Sequence, residues 1–312
     1  MSPRRGERAM VPEAEFRSYY GRPILKEPAW KVPDVPIYLF AGGLAGVSAT
    51  MSALARLTGR RSVARNARYV AAAGSTVGVA YLVHDLGRPE RFLMMLRVFK
   101  PTSPLSVGSW ILAPFSGLTV AAAASQATGR LTPLGDLAGA GAAALGPAMA
   151  TYTAVLLADT AVPAWHEAYP QLPFVFAGSA LTSAAGAALL AAPAADRPPL
   201  RRVLLAGAGL ELAAARQIEQ RTDLPAEPYR IGRAGTLLRA GRTLTAAGAG
   251  LAALGTVARR RRLGRLADVL AGASVLAGGL ATRFGIFEAG VASTRDPKYV
   301  VVPQRERLAR RP

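Results

Sequence analysis

The chain has 312 residues, of which 51% are apolar and 18% charged, with no cysteine, two histidines and a formal net charge of +19. A soluble chain carries about 25% charged residues, so this composition points away from that class; the other reading is an alanine-rich soluble helical protein. Without cysteine the chain can hold neither an iron–sulfur cluster nor a disulfide, and two histidines are too few for two bis-histidine haems.

Residues 1–35 are polar, basic and proline-rich. Arg4 and Arg5 are not followed at the usual distance by a short apolar run, so the segment is expected to be an arm and not a cleaved leader. Within it, 19–36 carries four prolines and several large aromatic residues, as an extended arm lying on a surface would.

Eight apolar segments follow, near 36–57, 66–86, 108–128, 135–158, 171–193, 200–218, 241–258 and 266–287. Each is about 18–24 residues, roughly 27–36 Å as a helix, enough to cross a bilayer. The sixth is interrupted by Glu211 and Arg216. Gly42 with Gly46, and Gly74 with Gly78, have the spacing of close-packed membrane helices. The expected fold is therefore all-α, with eight transmembrane helices as one domain over 36–288 and a tail over 289–312.

An even number of spans places both termini on one side, face A. The opposite face B carries short Arg-rich turns, including Arg56, Arg60, Arg61, Arg65, Arg68, Arg197, Arg201, Arg202 and Arg259 to Arg262, with almost no acids. Such loops favour face B as cytoplasmic and face A as extracytoplasmic, in a plasma membrane. The basic residues punctuate apolar runs and form no single patch, so lipid headgroups are the expected contact, not nucleic acid. Every elaborate segment falls on face A: the arm, 84–110, 158–173, 219–241 and 284–307. One elaborate face suits an anchor that docks a large partner on one side. A transporter or proton-conducting subunit is the alternative, and would show broken helices and buried charges at mid-membrane.

Segment 84–110 is the most densely functional stretch. His84 and Asp85 sit at the end of the second span, either as a proton-transferring pair or as a helix-end pair fixing the loop. Arg88, Arg91 and Lys100, with Arg295 and Lys298 of the tail, are basic face A residues for docking an acidic partner, or for contacting headgroups. Asp34 and Tyr38 are the polar groups at the start of the first span. Asp159 ends the fourth span, as a proton exit or a loop anchor. Glu211 and Arg283 lie within spans and are relay candidates, since intramembrane ionisable groups are functional hypotheses by default. Glu288 follows Arg283, so the two form either a relay or an ion pair closing the last helix. Arg216 is placed to snorkel at a span end. Trp30 and Trp110 are expected as interface anchors.

Four phrases carry a family resemblance: IYLFAGGLAG at 37–46, DLGRPERF with RVFKPTSPLSVGSW over 85–110, YTAVLLADTAVPAWHE at 152–167, and RFGIFEAG with DPKYVVVPQRER over 283–307. Together they resemble the NrfD/PsrC family of integral-membrane anchors of polysulfide-reductase-type molybdoenzymes. The resemblance implies eight helices in two four-helix bundles and a quinone site, for menaquinone or ubiquinone. It also implies a ferredoxin-like [4Fe–4S] subunit on one face and a molybdopterin-containing catalytic subunit beyond it. It implies for Tyr152 the hydrogen bond to a quinone carbonyl, with His84, Asp85, Asp34 and Tyr38 as its polar surroundings; a core tyrosine bonded to a neighbouring helix is the other reading. The chain departs from the family pattern in having no histidine in the first span. Substrate catalysis would then lie in a partner chain, and this chain would carry no haem and no cluster of its own. A purely structural anchor is a further alternative.

Overall fold

Proline and glycine set the ends of the helices. Proline stands in the first turn of five of them, where its missing N–H is not needed. Gly129, at φ 66°, ends one of these five in the left-handed conformation that a side chain disfavours. In the computed structural model, residues 24–309 are described, apart from 89, 222 and 258–260. The start of the arm, before residue 24, and Arg259 and Arg260 of face B lie outside the described residues.

The helices are α1 (Asp34–Leu57), α2 (Arg61–Asp85), the short α3 (Arg91–Met94), α4 (Pro104–Thr128), α5 (Thr132–Ala158), the short α6 (Pro163–Glu167), α7 (Leu172–Ala191), α8 (Arg197–Glu219), α9 (Gly232–Val257), α10 (Arg261–Arg295) and α11 (Lys298–Ala309). Two 3₁₀ turns, Ala194–Asp196 and Leu224–Tyr229, lead into α8 and α9. Among the described residues every regular element is helical. Five helical stretches are long and apolar enough to cross a membrane: Asp34–Leu57, Pro104–Thr128, Thr132–Ala158, Leu172–Ala191 and Arg262–Arg295. The other three long helices, α2, α8 and α9, mix arginine with glycine and alanine, which lowers their hydropathy.

The most extensive pairings join α9 to α10, α1 to α2, α7 to α8, α4 to α5 and α1 to α5, with α10 also lying along α7. Small residues permit this closeness. A Cβ added to Gly46 would lie 2.5 Å from the Gly146 carbonyl of α5, and one on Gly74 3.0 Å from the Ala41 carbonyl of α1. Glycine spacing in the first two spans thus does mark packing faces. Glycines 186 and 272 bring α7 onto α10, and glycines 241 and 278 bring α9 onto α10, in the same way.

Two boundaries and the character of face B differ from the sequence expectation. The loop before α9 ends at Gly232, so Arg233, Arg239 and Arg242 lie on a helix; hydropathy reads only the apolar core, whereas the helix continues into the polar zone. Residues 289–295, expected in the tail, extend α10, and much of the remaining tail is α11. Face B is not a set of unpaired arginine turns. Arg56 makes two 2.5 Å contacts to Asp136, which Arg68 also meets at 3.2 Å. Buried Arg201 grips Asp268 through two bonds of 2.7 and 2.8 Å, with Arg197 at 3.7 Å. These aspartates lie inside apolar runs, one helix away in space, where a loop-by-loop reading misses them.

Candidate functional site

The face A end of α1 and α2 brings together residues far apart in sequence. Asp34, the first residue of α1, is 3% exposed, and its Oδ2 lies 2.7 Å from His84 Nδ1 near the end of α2. Asp85 accepts a hydrogen bond from the Lys31 backbone N–H at 2.7 Å, and Lys31 Nζ donates to the His84 carbonyl at 3.3 Å. The expected pairing of His84 with its neighbour Asp85 is therefore corrected: His84 pairs with Asp34. Adjacent helical residues point about 100° apart and do not face each other. The His84 ring is largely exposed while its carboxylate partner is buried, so the pair reaches from the membrane-side interior to the face A surface.

One turn further along α1, Tyr38 is buried, its ring near Gly78 of α2. Tyr152 comes from α5, six residues before the helix ends, or about 9 Å in from face A by helical rise. Its ring fills the space above Gly108 of α4, where an added Cβ would lie 2.3 Å from Cε2. Tyr38 and Tyr152 belong to one apolar cluster with Val35, Leu112 and Met149. The Tyr152 hydroxyl is buried and has no hydrogen-bond partner among the described residues. The described residues thus give Tyr152 no bond to a neighbouring helix. An unpaired buried phenol is costly unless a ligand oxygen completes it. The donor set thus fits a carbonyl-bearing apolar molecule: one phenolic donor in an apolar cluster, with a His–Asp pair at the surface end of the same helices.

The remaining candidates are dispersed. Asp159 is exposed just after α5. Glu211 and Arg283 are 3% and 1% exposed, on α8 and α10, apart from the Tyr152 group. Glu288 does not close the last helix with Arg283: it lies 3.7 Å from Arg233 of α9, while Arg283 donates to the Phe176 and Leu39 carbonyls. Arg216 is exposed at the α8 end.

Of the docking candidates, Arg88, Arg91 and Lys100 are exposed. Beside them Leu93, Met94, Val98 and Phe99 are also exposed, which residue-type reasoning about charge overlooked. Arg295, also exposed, and the half-buried Lys298 are instead engaged in ion pairs with this chain's own acids. Arg295 meets Glu27 at 2.9 Å, tying the arm to α10, and Lys298 meets Glu227 at 3.0 Å, tying α11 to the 3₁₀ turn. The Lys298 hydrogen bond holds the Glu227 carboxyl below its ordinary range, aided by Tyr299; the same bond raises Lys298.

Trp165 was not singled out from the sequence. It is fully buried, donates from Nε1 to the Ile286 carbonyl at 2.7 Å, and stacks on Trp30 at 5.6 Å. Trp30 is thus a clasp for the arm and not an interface anchor. Gly290 leaves room for the indole; an added Cβ would lie 1.9 Å from Cε2. Pro163 after Val162, opening a one-turn helix, was the available signal. On the same face a cavity of about 300 Å³ opens among Thr160, His166, Tyr299, Gln304 and Arg307.

No curated protein matches the chain. The sequence profile of the NrfD-type family described as polysulfide reductase matches residues 17–296, a span that takes in α1 to α10 and every residue of the Asp34–His84–Tyr152 group. With five helices apolar enough for a bilayer and nine-tenths of its length matched, this membrane protein belongs to the NrfD-type polysulfide reductase family.

Proposed function

We propose that this chain is the quinone-reactive membrane anchor of a multi-subunit oxidoreductase. Eight helices, α1, α2, α4, α5 and α7 to α10, cross the plasma membrane as two four-helix bundles. A partner [4Fe–4S] subunit docks on face A, on the extracytoplasmic side, and a molybdopterin-containing subunit completes the complex. The exposed Arg88, Arg91 and Lys100, with the apolar residues between them, form the docking ground. Arg295 and Lys298 contribute indirectly, by holding the arm and α11 in place.

The observation that carries this reading is the buried, unpartnered Tyr152 hydroxyl. A bound quinone supplies two-electron chemistry coupled to two protons. Tyr152 binds and orients a quinone carbonyl by donating its hydroxyl hydrogen. Tyr38 and the apolar cluster exclude water around it. His84, oriented by Asp34, holds a proton at Nδ1 or Nε2 at the aqueous end, and Asp85 fixes that helix end through Lys31. With no cysteine, the chain depends on a partner's clusters for electrons.

The test is purification of the intact complex in mild detergent, with identification of co-purifying subunits and extraction of bound quinone. An iron–sulfur subunit and about one menaquinone or ubiquinone per complex is the expected result. A lone chain free of quinone and iron would overturn the proposal in favour of a transporter.

A further inference from the structure

The second set of helices holds a polar cluster that the quinone reading does not use. Glu211 of α8 is buried against three other helices. Its Oε1 accepts from Thr282 of α10 at 3.1 Å. Ser179 of α7 and Thr245 of α9 face the same carboxyl. Ser183 joins Ser179 one turn along α7, both within about 3 Å of a Cβ built on Gly279. Arg283 is the charged group facing Glu211; α7 and α9 contribute hydroxyls there. Its guanidinium is held by two carbonyls and lies 3.7 Å from the centre of the Phe176 ring.

This cluster is incomplete as it stands. Among the described residues, Ser183 Oγ and Arg283 Nη1 are buried without a hydrogen-bond partner, and Glu211 Oε2, Ser179 Oγ and Thr245 Oγ1, which face one another, fall outside hydrogen-bond geometry. So many orphaned groups in one place call for an occupant. The fixed charges select it. A metal cation would sit beside a permanently charged guanidinium, and an anion beside a carboxylate. Water is neutral and both donates and accepts, and a buried water needs roughly two to four polar partners, which these atoms supply. Glycines line the cluster, so the hydroxyls approach without intervening side chains: a Cβ on Gly278 would fall 2.8 Å from Thr245 Oγ1, and one on Gly241 2.6 Å from Thr282 Oγ1.

We propose that α7, α8, α9 and α10 enclose an internal hydrated site at which Glu211 takes up and releases a proton. Of the charged groups there, Arg283 keeps its proton. Glu211 alone can exchange one, taking at Oε2 an excess proton that an adjoining water delivers as hydronium and returning it to that water as hydronium, so that the water is neutral before delivery and after uptake, while Thr282 holds Oε1. Arg283 also bonds the carbonyl of Leu39, next to Tyr38 on α1, so the site abuts the helix that carries Asp34. The inference does not depend on quinone chemistry at Tyr152.

The experiment is pH-difference infrared spectroscopy on the full chain in lipid nanodiscs, in H₂O and D₂O. The expected result is a protonated-carboxyl band that titrates, shifts in D₂O, disappears in Glu211→Gln and moves in frequency in Thr282→Val. No band sensitive to these variants, or one unchanged across the pH range, would overturn the proposal. If Glu211→Gln does not fold, Thr282→Val decides: a titrating band that it leaves unmoved counts against Glu211. Quinone content of the same preparations reports separately on the Tyr152 reading.

Discussion

Replacing Tyr152 by phenylalanine should have opposite effects on the free and quinone-bound protein. The ring would keep its packing over Gly108 and within the apolar cluster. Only the hydroxyl is removed, and that hydroxyl is buried without a partner. A buried unsatisfied polar group costs about 1–3 kcal/mol, so Tyr152→Phe should leave the free chain unharmed or more stable by up to about that amount. In the bound state the same change deletes a hydrogen bond worth about 0.5–1.5 kcal/mol, weakening quinone binding about 2- to 10-fold. Thermal unfolding of the detergent-solubilised chain gives the first quantity, and calorimetric titration with a short-tailed quinone gives the second. Clear destabilisation of the free chain would mean that the hydroxyl has a structural partner, and the argument from its isolation would fail. Stabilisation with unchanged quinone affinity would remove Tyr152 from the binding site.

Gly108→Ala should push the Tyr152 ring aside, since the new Cβ would lie 2.3 Å from Cε2; overpacking of this kind costs about 1–3 kcal/mol, visible in the same thermal assay. Asp268→Ala should destabilise the chain by about 3–5 kcal/mol by stranding buried Arg201, whereas pairing it with Arg201→Met should recover most of the loss in a double-mutant cycle. The Glu227–Lys298 contact should hold α11 only in a middle pH window. Because Glu227 is depressed when folded, its contribution is present above its unfolded range and lost as pH falls through the folded value; because Lys298 is raised, its contribution is lost as pH rises through its folded value. Hydrogen exchange over 298–309 should therefore accelerate at both acid and alkaline pH, and a flat profile would contradict the pairing.

The sequence by itself determined the helical class, the positions of the eight long helices to within a few residues at most ends, and the family. These follow from local causes: apolar runs of bilayer length, proline and glycine at their ends, and phrases such as DLGRPERF that keep residue order. Sequence also singled out Asp34, His84, Glu211 and Arg283, because a polar residue in or beside an apolar run stands out without any knowledge of its neighbours, and Tyr152 through the family resemblance. Tertiary structure alone decided who faces whom. His84 meets Asp34 and not Asp85, Glu288 meets Arg233 and not Arg283, and Arg201 meets Asp268 across two helices. Each partner lies 50 or more residues away along the chain, and helix rotation and register, set by glycine contacts such as Gly46 on Gly146, choose it. The same registry buries Trp165 against Gly290 and leaves the Tyr152 hydroxyl without a partner among the described residues. Satisfaction of a buried polar group is a property of all the helices around it, and no single stretch of sequence records it.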